Sequence, residues 1–166
     1  MKKSLLFIIL PIFFLSSCKD DLDVAFDETG FYRNKNKWKQ LNIKDYSFEY
    51  YTESNWAQFP CTIIVHNDKI QEIIPKYDSF PYSEDQFQYY MTIDDIFTKI
   101  ETIYKNPIDQ KIDKKRIWYC HEIVVEYDEK YFFPKLVIFN YRGNRKYFDI
   151  CGGNNDITVT LFEVEM

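Results

Sequence analysis

Four cysteines and two histidines are the first candidates in this chain for nucleophiles, general bases or metal ligands. Cys120 and His121 are adjacent, but neighbouring residues on a strand point to opposite faces, so this pair does not line one site. A Cys–His hydrolase would have to assemble its pair across strands, for example from Cys151 and His121. Because no cysteine and histidine that are close in the sequence can line one site, we favour a non-catalytic protein. The hydrolase is the alternative.

A zinc site would need three or four ligands, and no C-x-x-C spacing supplies two of them locally. His66 and His121 could join two cysteines only by long-range convergence. Asp20, Asp21 and Asp23 lack the glycine turn and distal glutamate of a calcium loop. Phosphate-loop, G-x-S-x-G and H-E-x-x-H motifs are also missing from the sequence. We therefore predict no metal, no cofactor and no catalytic residue.

The strongest chemical signal lies at Cys18. Two lysines precede an apolar run at residues 5–15, as in a secretory signal, and the run is shorter than the roughly 20 residues of a membrane span. Residues 15–18, LSSC, match the bacterial lipobox, whose thiol takes a diacylglycerol. The pattern predicts a lipoprotein signal peptide over residues 1–17, lipidation of Cys18 and attachment to the membrane through the N-terminal lipid. The alternative is an ordinary signal peptide with an unmodified cysteine.

The residues after Cys18 carry information about which side of the outer membrane the domain faces. Lys19, Asp20 and Asp21 resemble the lipoprotein export signal of Bacteroidota, which marks display on the cell surface. The same acids could instead form a solvated tether. The predicted localisation is the cell envelope at the outer membrane, and both a surface-exposed and a periplasm-facing domain remain open.

Charge and composition narrow the class of partner. The chain carries 21 basic and 26 acidic residues, and removal of residues 1–17 would leave 19 and 26, a net charge of −7. This acidity argues against a nucleic-acid partner, which needs a basic surface. Aromatic residues make up 19% of the chain, which predicts an aromatic β-sheet core or, in the loops, a stacking surface for a glycan or a protein.

Three further cysteines lie in the exported part of the chain, in a compartment that permits disulfides. Because three is an odd number, at most one bridge forms. The sequence predicts one pair among Cys61, Cys120 and Cys151 without choosing between the three pairings.

The elements that position these residues follow from hydrophobic periodicity. Residues 18–30 are acidic and loosely patterned, so we predict a tether that precedes a single domain at 31–166. A short amphipathic helix is predicted at 31–43. A second helix begins at Thr92, which forms a capping box with Asp95, and ends at Asn106-Pro107.

Period-two alternation and turn residues predict the strands. Asn67-Asp68 is a hairpin turn, residues 109–116 are a charged connection, and the continuous apolar run in 135–142 predicts a central strand. The predicted strands are 45–52, 61–65, 70–74, 122–128, 135–142 and 157–164. The order α-β-β-β-α-β-β-β predicts an α+β fold, with an antiparallel sheet of five to six strands and two helices packed on one face.

The segment from Lys76 to Tyr90 is the candidate contact surface. It is long, aromatic and acidic, and long loops in compact domains are often functional. Tyrosine is also a favoured residue at interfaces. The alternative is that the phenylalanines of this loop only cap the sheet. The predicted partner-contact residues are Tyr77, Phe80, Tyr82, Phe87, Tyr89 and Tyr90.

Several motifs together resemble the domain-of-unknown-function 6174 family. They are Trp38, the strand DYSFEY, the hairpin CTIIVHNDKI, the helix start TIDDIF and the segment VEYDEKYFFPKLVIFN, in the order of that family. The resemblance covers residues 38–140 and implies a small secreted or lipid-anchored bacterial domain with no agreed activity. Two positions depart from the family pattern: Phe132 stands in place of a turn glycine, and Asn140 in place of an acid.

The sequence as a whole predicts a lipid-anchored envelope protein that binds an unidentified protein or glycan without catalysis. An immunity-type factor that protects its own cell is a further alternative beside the hydrolase.

Overall fold

The computed structural model describes residues 23–54, 57–58, 60–77, 90–111, 117–143 and 155–164. The helices are α1 (Glu28–Leu41) and α2 (Ile93–Lys105). The strands are β1 (Tyr46–Ser54), β2 (Ala57–Gln58), β3 (Cys61–His66), β4 (Lys69–Pro75), β5 (Ile108–Lys111), β6 (Ile117–Tyr127), β7 (Pro134–Gly143) and β8 (Asn155–Val164).

All of these strands pair antiparallel in one sheet, in the order β4-β3-β1-β8-β7-β6-β5, with β2 folded back onto β1. Six of them are long, and together with the two helices they follow the predicted order of elements. The predicted α+β class and antiparallel sheet are therefore confirmed. The predicted central strand is confirmed as well, because β7 pairs with β8 on one side and with β6 on the other.

The predicted charged connection at 109–116 is wrong in its first part, because β5 occupies residues 108–111. The reason lies in β6, which begins at Ile117, five residues before its predicted start at Glu122. The aromatic start of β6 extends the sheet, and Tyr119 pairs with Ile108 of β5.

Alternate residues of the strands and the apolar stripes of both helices form one hydrophobic core. On β1, the inward positions Tyr46, Phe48 and Tyr50 are buried while the residues between them are only partly covered. Aromatic side chains of this size contribute about 2–3 kcal/mol each when they are fully buried. The buried hydrophobic residues of the helices are Phe31 and Trp38 of α1 and Ile93, Ile96, Phe97 and Ile100 of α2.

The predicted tether at 18–30 is wrong in its described part, which begins at Asp23. Ala25 forms a bridge with Glu122 of β6, and the apolar neighbours of Ala25 pack against the core. Helix α1 then begins at Glu28 because the Asp27 carboxylate accepts a hydrogen bond from the Gly30 N–H at 2.9 Å and caps the helix. A side chain at Gly30 would collide with this carboxylate, since a Cβ there would lie 2.1 Å from Asp27 Oδ2.

Local signals in the sequence predicted two features closely. The Thr92 side chain accepts from the Asp95 N–H at 3.1 Å, and the Asp95 carboxylate accepts from the Thr92 N–H at 3.0 Å, so the capping box at the start of α2 is confirmed. Asn67 and Asp68 have φ angles of 50° and 61° and form the turn between β3 and β4. Both residue types tolerate this left-handed conformation.

Candidate functional site

The predicted contact loop is described only at its two ends. Tyr77 is 65% exposed, so it is free to meet a partner. Tyr90 instead packs edge-on against Tyr50, with ring centroids 6.0 Å apart, and belongs to the border of the core. The other predicted contact residues, Phe80, Tyr82, Phe87 and Tyr89, lie outside the described residues, and the prediction for them stays open.

Two of the cysteines are buried free thiols, Cys61 on β3 and Cys120 on β6. Three strands separate β3 from β6 in the sheet, so these two residues do not bridge each other. Burial raises the pKa of Cys61 to about 12 and that of Cys120 to about 11. Because the thiolate is the reactive form, neither residue is poised as a nucleophile. Cys18 and Cys151 lie outside the described residues, so their predicted lipidation and pairing stay predictions.

The two histidines lie on different strands and do not share a site. His66 lies on the exposed β3–β4 hairpin. Its Nδ1 lies 2.5 Å from the carboxylate of Asp45, the residue that precedes β1. The buried Nδ1 of His121 has no hydrogen-bond partner within the described part of the chain. In that same part, no three His, Cys, Asp or Glu residues converge to hold a metal.

A groove beside β6 is the strongest candidate for a binding site, and the segment before α1 builds it. The Ala25 N–H donates to the His121 carbonyl at 2.8 Å, and the Ile123 N–H donates to the Ala25 carbonyl at 2.9 Å. Strand β5 pairs with the start of β6, and this short parallel pairing continues along the same edge of β6. It ends at Asp27, where the chain turns into α1.

The edge of β6 is open immediately beyond this pairing. Alternate residues of a strand direct their N–H and C=O groups to the same side, so Val125 faces the same edge as Ile123. Across residues 23–54, 57–58, 60–77, 90–111, 117–143 and 155–164, nothing pairs with the Val125 backbone on this edge. The β6 groove, as we call it, has a volume of about 320 Å³ and is lined by Ala25, Phe26, Asp27, Glu122, Ile123, Val124, Val125 and Tyr127.

The side chains that line the β6 groove are mostly apolar, and its charged groups are acidic. Five of its lining residues are apolar, and the carboxylates of Asp27 and Glu122 are its charged groups. The Tyr127 hydroxyl is buried with no hydrogen-bond partner in the described part of the chain. Burial, and to a smaller extent the Asp27 carboxylate, raises the pKa of Tyr127, so this hydroxyl stays protonated and can donate.

One departure from the family pattern lies beside this groove. The Asn140 side chain donates to the Glu122 carboxylate at 2.7 Å. An acid at position 140 would set two carboxylates against each other across β6 and β7. The asparagine therefore gives the Glu122 carboxylate a hydrogen-bond donor in place of a like-charged neighbour.

A second groove, of about 310 Å³, lies between the end of α1, the β3–β4 hairpin and the start of α2. Some of its polar groups are paired with each other: Lys44 lies 3.9 Å from Asp68, and the Trp38 indole N–H donates to Asp94 at 3.3 Å.

Sequence reasoning missed the β6 groove, because the pairing that builds it joins Ala25 to a strand almost 100 positions away. A contact between residues so far apart in the sequence has no local motif that predicts it. Neither α1 nor α2 is long and apolar enough to cross a membrane.

The helices and strands define an α+β domain with one antiparallel sheet. The chain belongs to a family of unknown function, DUF6174, whose model matches residues 30–145. This confirms the resemblance seen in the sequence, and the matched region extends from α1 to the end of β7. No curated protein and no solved structure matches the chain.

Proposed function

We propose that this chain is a lipid-anchored protein of the cell envelope that binds another protein without catalysis, and that it binds through the β6 groove. The single observation that carries the binding role is this apolar groove with two acids beside an incompletely paired strand. Concave apolar sites with a few polar groups are typical of binding sites. The buried Cys61 and Cys120 lend no support to the alternative hydrolase.

We further propose that α1 and α2 cover the same face of the sheet and leave the other face and the β6 edge accessible. Contacts shared by the helices support this arrangement. Phe31 of α1 and Phe97 of α2 pack edge-on with ring centroids 5.8 Å apart. Tyr46 of β1 contacts both helices, because its ring packs on Trp38 and its hydroxyl accepts from Ile93.

The anchoring part of the proposal rests on the LSSC motif that ends at Cys18. Lys19, Asp20 and Asp21 support an outer-membrane location with the domain on the cell surface. In that place the partner would be an envelope protein or a protein outside the cell. The negative charge of the chain supports a partner other than nucleic acid.

The binding role is tested by photo-cross-linking in intact cells. A benzophenone amino acid replaces Val124, which lines the β6 groove and is 38% exposed. The matched control places the same group at Val164, which is also 38% exposed but lies at the end of β8, outside the groove. We expect a discrete protein adduct from position 124 and none from position 164.

Identical adducts from both positions, or no adduct from position 124, would contradict a binding role for the groove. An adduct that contains glycan and no second protein would contradict the choice of a protein partner.

A further inference from the structure

We propose that the β6 groove binds an extended peptide segment of a partner protein, in which basic and apolar residues alternate, and that this segment pairs with β6 at Val125 as an added strand. The inference rests on the proposed binding function and specifies its partner and geometry.

The chain itself already adds two pieces to this edge of β6. Strand β5 pairs with residues 117–119, and Ala25 bonds to His121 and Ile123. The Val125 N–H and C=O are the next backbone groups that face this edge of β6. A peptide strand placed there would accept one hydrogen bond and donate one, which is the main-chain recognition of strand addition.

The other edge of the sheet is built differently. Strand β4 carries Lys69 and Pro75, and a bulge interrupts its pairing with β3 between Ile64 and Val65. Charged side chains, prolines and bulges protect edge strands from further pairing. The segment 123–125 of β6 is Ile-Val-Val and carries none of these features. The stretch of β6 beyond β5 lies between the bulges at Cys120–Glu122 and Glu126–Tyr127 and is less protected against an added strand than β4.

Side-chain alternation defines the chemistry of the peptide. Ile123, Val125 and Tyr127 lie on the core side of β6, beside Phe26, whereas Glu122 and Val124 lie on the opposite side. A residue paired with Val125 would place its side chain on the core side, against the apolar groups of Phe26 and Ile123. The residues before and after it would lie on the side of Glu122.

Charge complementarity makes these flanking residues basic. The groove is lined by two acids, Asp27 and Glu122, and by no basic residue. An antiparallel second copy of this chain centred on Val125 would set Glu122 opposite Asp128 of the other copy. Like charges opposite each other destabilise strand pairing, so the charges favour a basic peptide over self-association.

The first test uses the full lipid-modified chain in detergent and a fluorescent heptapeptide of alternating lysine and valine. Fluorescence anisotropy should show binding that is at least tenfold tighter than that of the same peptide with glutamate in place of lysine. Glu122→Gln, which keeps an oxygen for Asn140, should weaken binding of the lysine peptide about tenfold. Equal binding of the two peptides, no binding of either, or binding that drives dimer formation would overturn the proposal.

The second test examines the strand pairing directly. Val125→Pro removes the N–H that faces the groove and leaves the bonds between β6 and β7 in place, because a proline is compatible with an open edge. Val124→Pro removes an N–H that faces β7 and is the matched control for folding. We expect a smaller loss of melting temperature for Val125→Pro than for Val124→Pro, together with loss of peptide binding.

Hydrogen exchange of the unmodified chain keeps the proposal testable if the proline variant does not fold. Saturation with the lysine peptide should slow exchange of the Val125 amide at least tenfold and leave the Val124 amide little changed. Unchanged Val125 exchange, or full binding by a folded Val125→Pro chain, would overturn strand addition. The adduct from position 124 would still support the binding function in that case, so the two proposals can fail separately.

Discussion

The Tyr46 hydroxyl oxygen accepts a hydrogen bond from the Ile93 backbone N–H at 3.1 Å. The first N–H groups of a helix have no partner within the helix, and both residues here are buried. Tyr46 of β1 therefore accepts from the first backbone N–H of α2 from inside the core. The capping box of Thr92 and Asp95 provides the local hydrogen bonds at the same helix end. This bond ties the position of α2 to the sheet.

Tyr46→Phe should lower the free energy of unfolding by about 1–3 kcal/mol, because it leaves the buried Ile93 N–H without a partner. Tyr127→Phe is the matched control. Its buried hydroxyl has no partner among the described residues, so its removal should be neutral or stabilising. Urea unfolding of both variants measures the difference, and equal losses would show that the Tyr46 bond is not the cause.

Alkaline pH should destabilise the fold through Cys61. Burial raises the pKa of this thiol to about 12 in the folded chain, whereas a thiol in an unfolded chain has a pKa of about 8.5. Between these values the folded state holds a proton that the unfolded state has released, so stability falls as pH rises, by about 1.4 kcal/mol per pH unit for one group.

Cys61→Ala should reduce the slope of unfolding free energy against pH between pH 9 and 10, whatever its effect on stability at pH 7. Below about pH 7.5, one unit under the thiol pKa of the unfolded chain, the slopes of the two proteins should agree. Parallel curves throughout would mean that this thiol does not contribute to the alkaline loss.

Acid should weaken the contact that Glu101 makes between the helices. Its carboxylate accepts hydrogen bonds from Lys105 at 2.5 Å, from Lys35 of α1 and from the Tyr32 hydroxyl at 3.2 Å. Lys105 first, and then Lys35, lower the pKa of Glu101 to about 2. The stabilisation is present above the unfolded pKa of about 4.3 and is lost as pH falls towards 2.

Glu101→Gln should therefore cost about 0.5–1 kcal/mol at pH 7 and almost nothing at pH 2. Glu126→Gln is the control, because Glu126 is exposed and its nearest cation, Lys135, lies 3.5 Å away. We expect less than about 0.5 kcal/mol from this change at either pH. Thermal unfolding at the two pH values compares the variants, and a cost for Glu101→Gln that persists at pH 2 would contradict the charge-based account.

Lipidation is tested at Cys18. Cys18→Ala should abolish partitioning of the protein into the detergent phase, because the thiol that takes the lipid is gone. Cys61→Ala is the control and should partition like the unmodified chain, since Cys61 is a buried thiol of the core. Unchanged partitioning of Cys18→Ala would contradict the lipobox prediction.

Elements with local signals were predictable from the sequence. Helix α2 follows from the capping box at Thr92 and from the spacing of its apolar residues, and the β3–β4 turn follows from Asn67 and Asp68. The start of α1 was missed because the apolar periodicity begins only at Phe31. The Asp27 cap is a local contact with Gly30 that the prediction overlooked. The pairing of Ala25 depends on Glu122, which is remote in sequence.

The family comparison pointed to one position whose meaning is visible only in the structure. Phe132 has a φ angle of 65°, a conformation that glycine adopts without strain. The family's turn glycine suits this backbone, and the Lys37 ammonium lies over the Phe132 ring, 4.4 Å from its centroid. The sequence alone identified the substitution but not this contact with α1.

Strand β8 lies between β1 and β7, although its residues follow those of β1 by roughly 100 positions. Until β8 is in place, β4-β3-β1 and β7-β6-β5 are two separate three-stranded ribbons, each with an unpaired inner edge. Such non-local pairing makes folding slow. A chain cut before Asn155 would expose both inner edges and should aggregate, so the route to the native state depends on the arrival of β8.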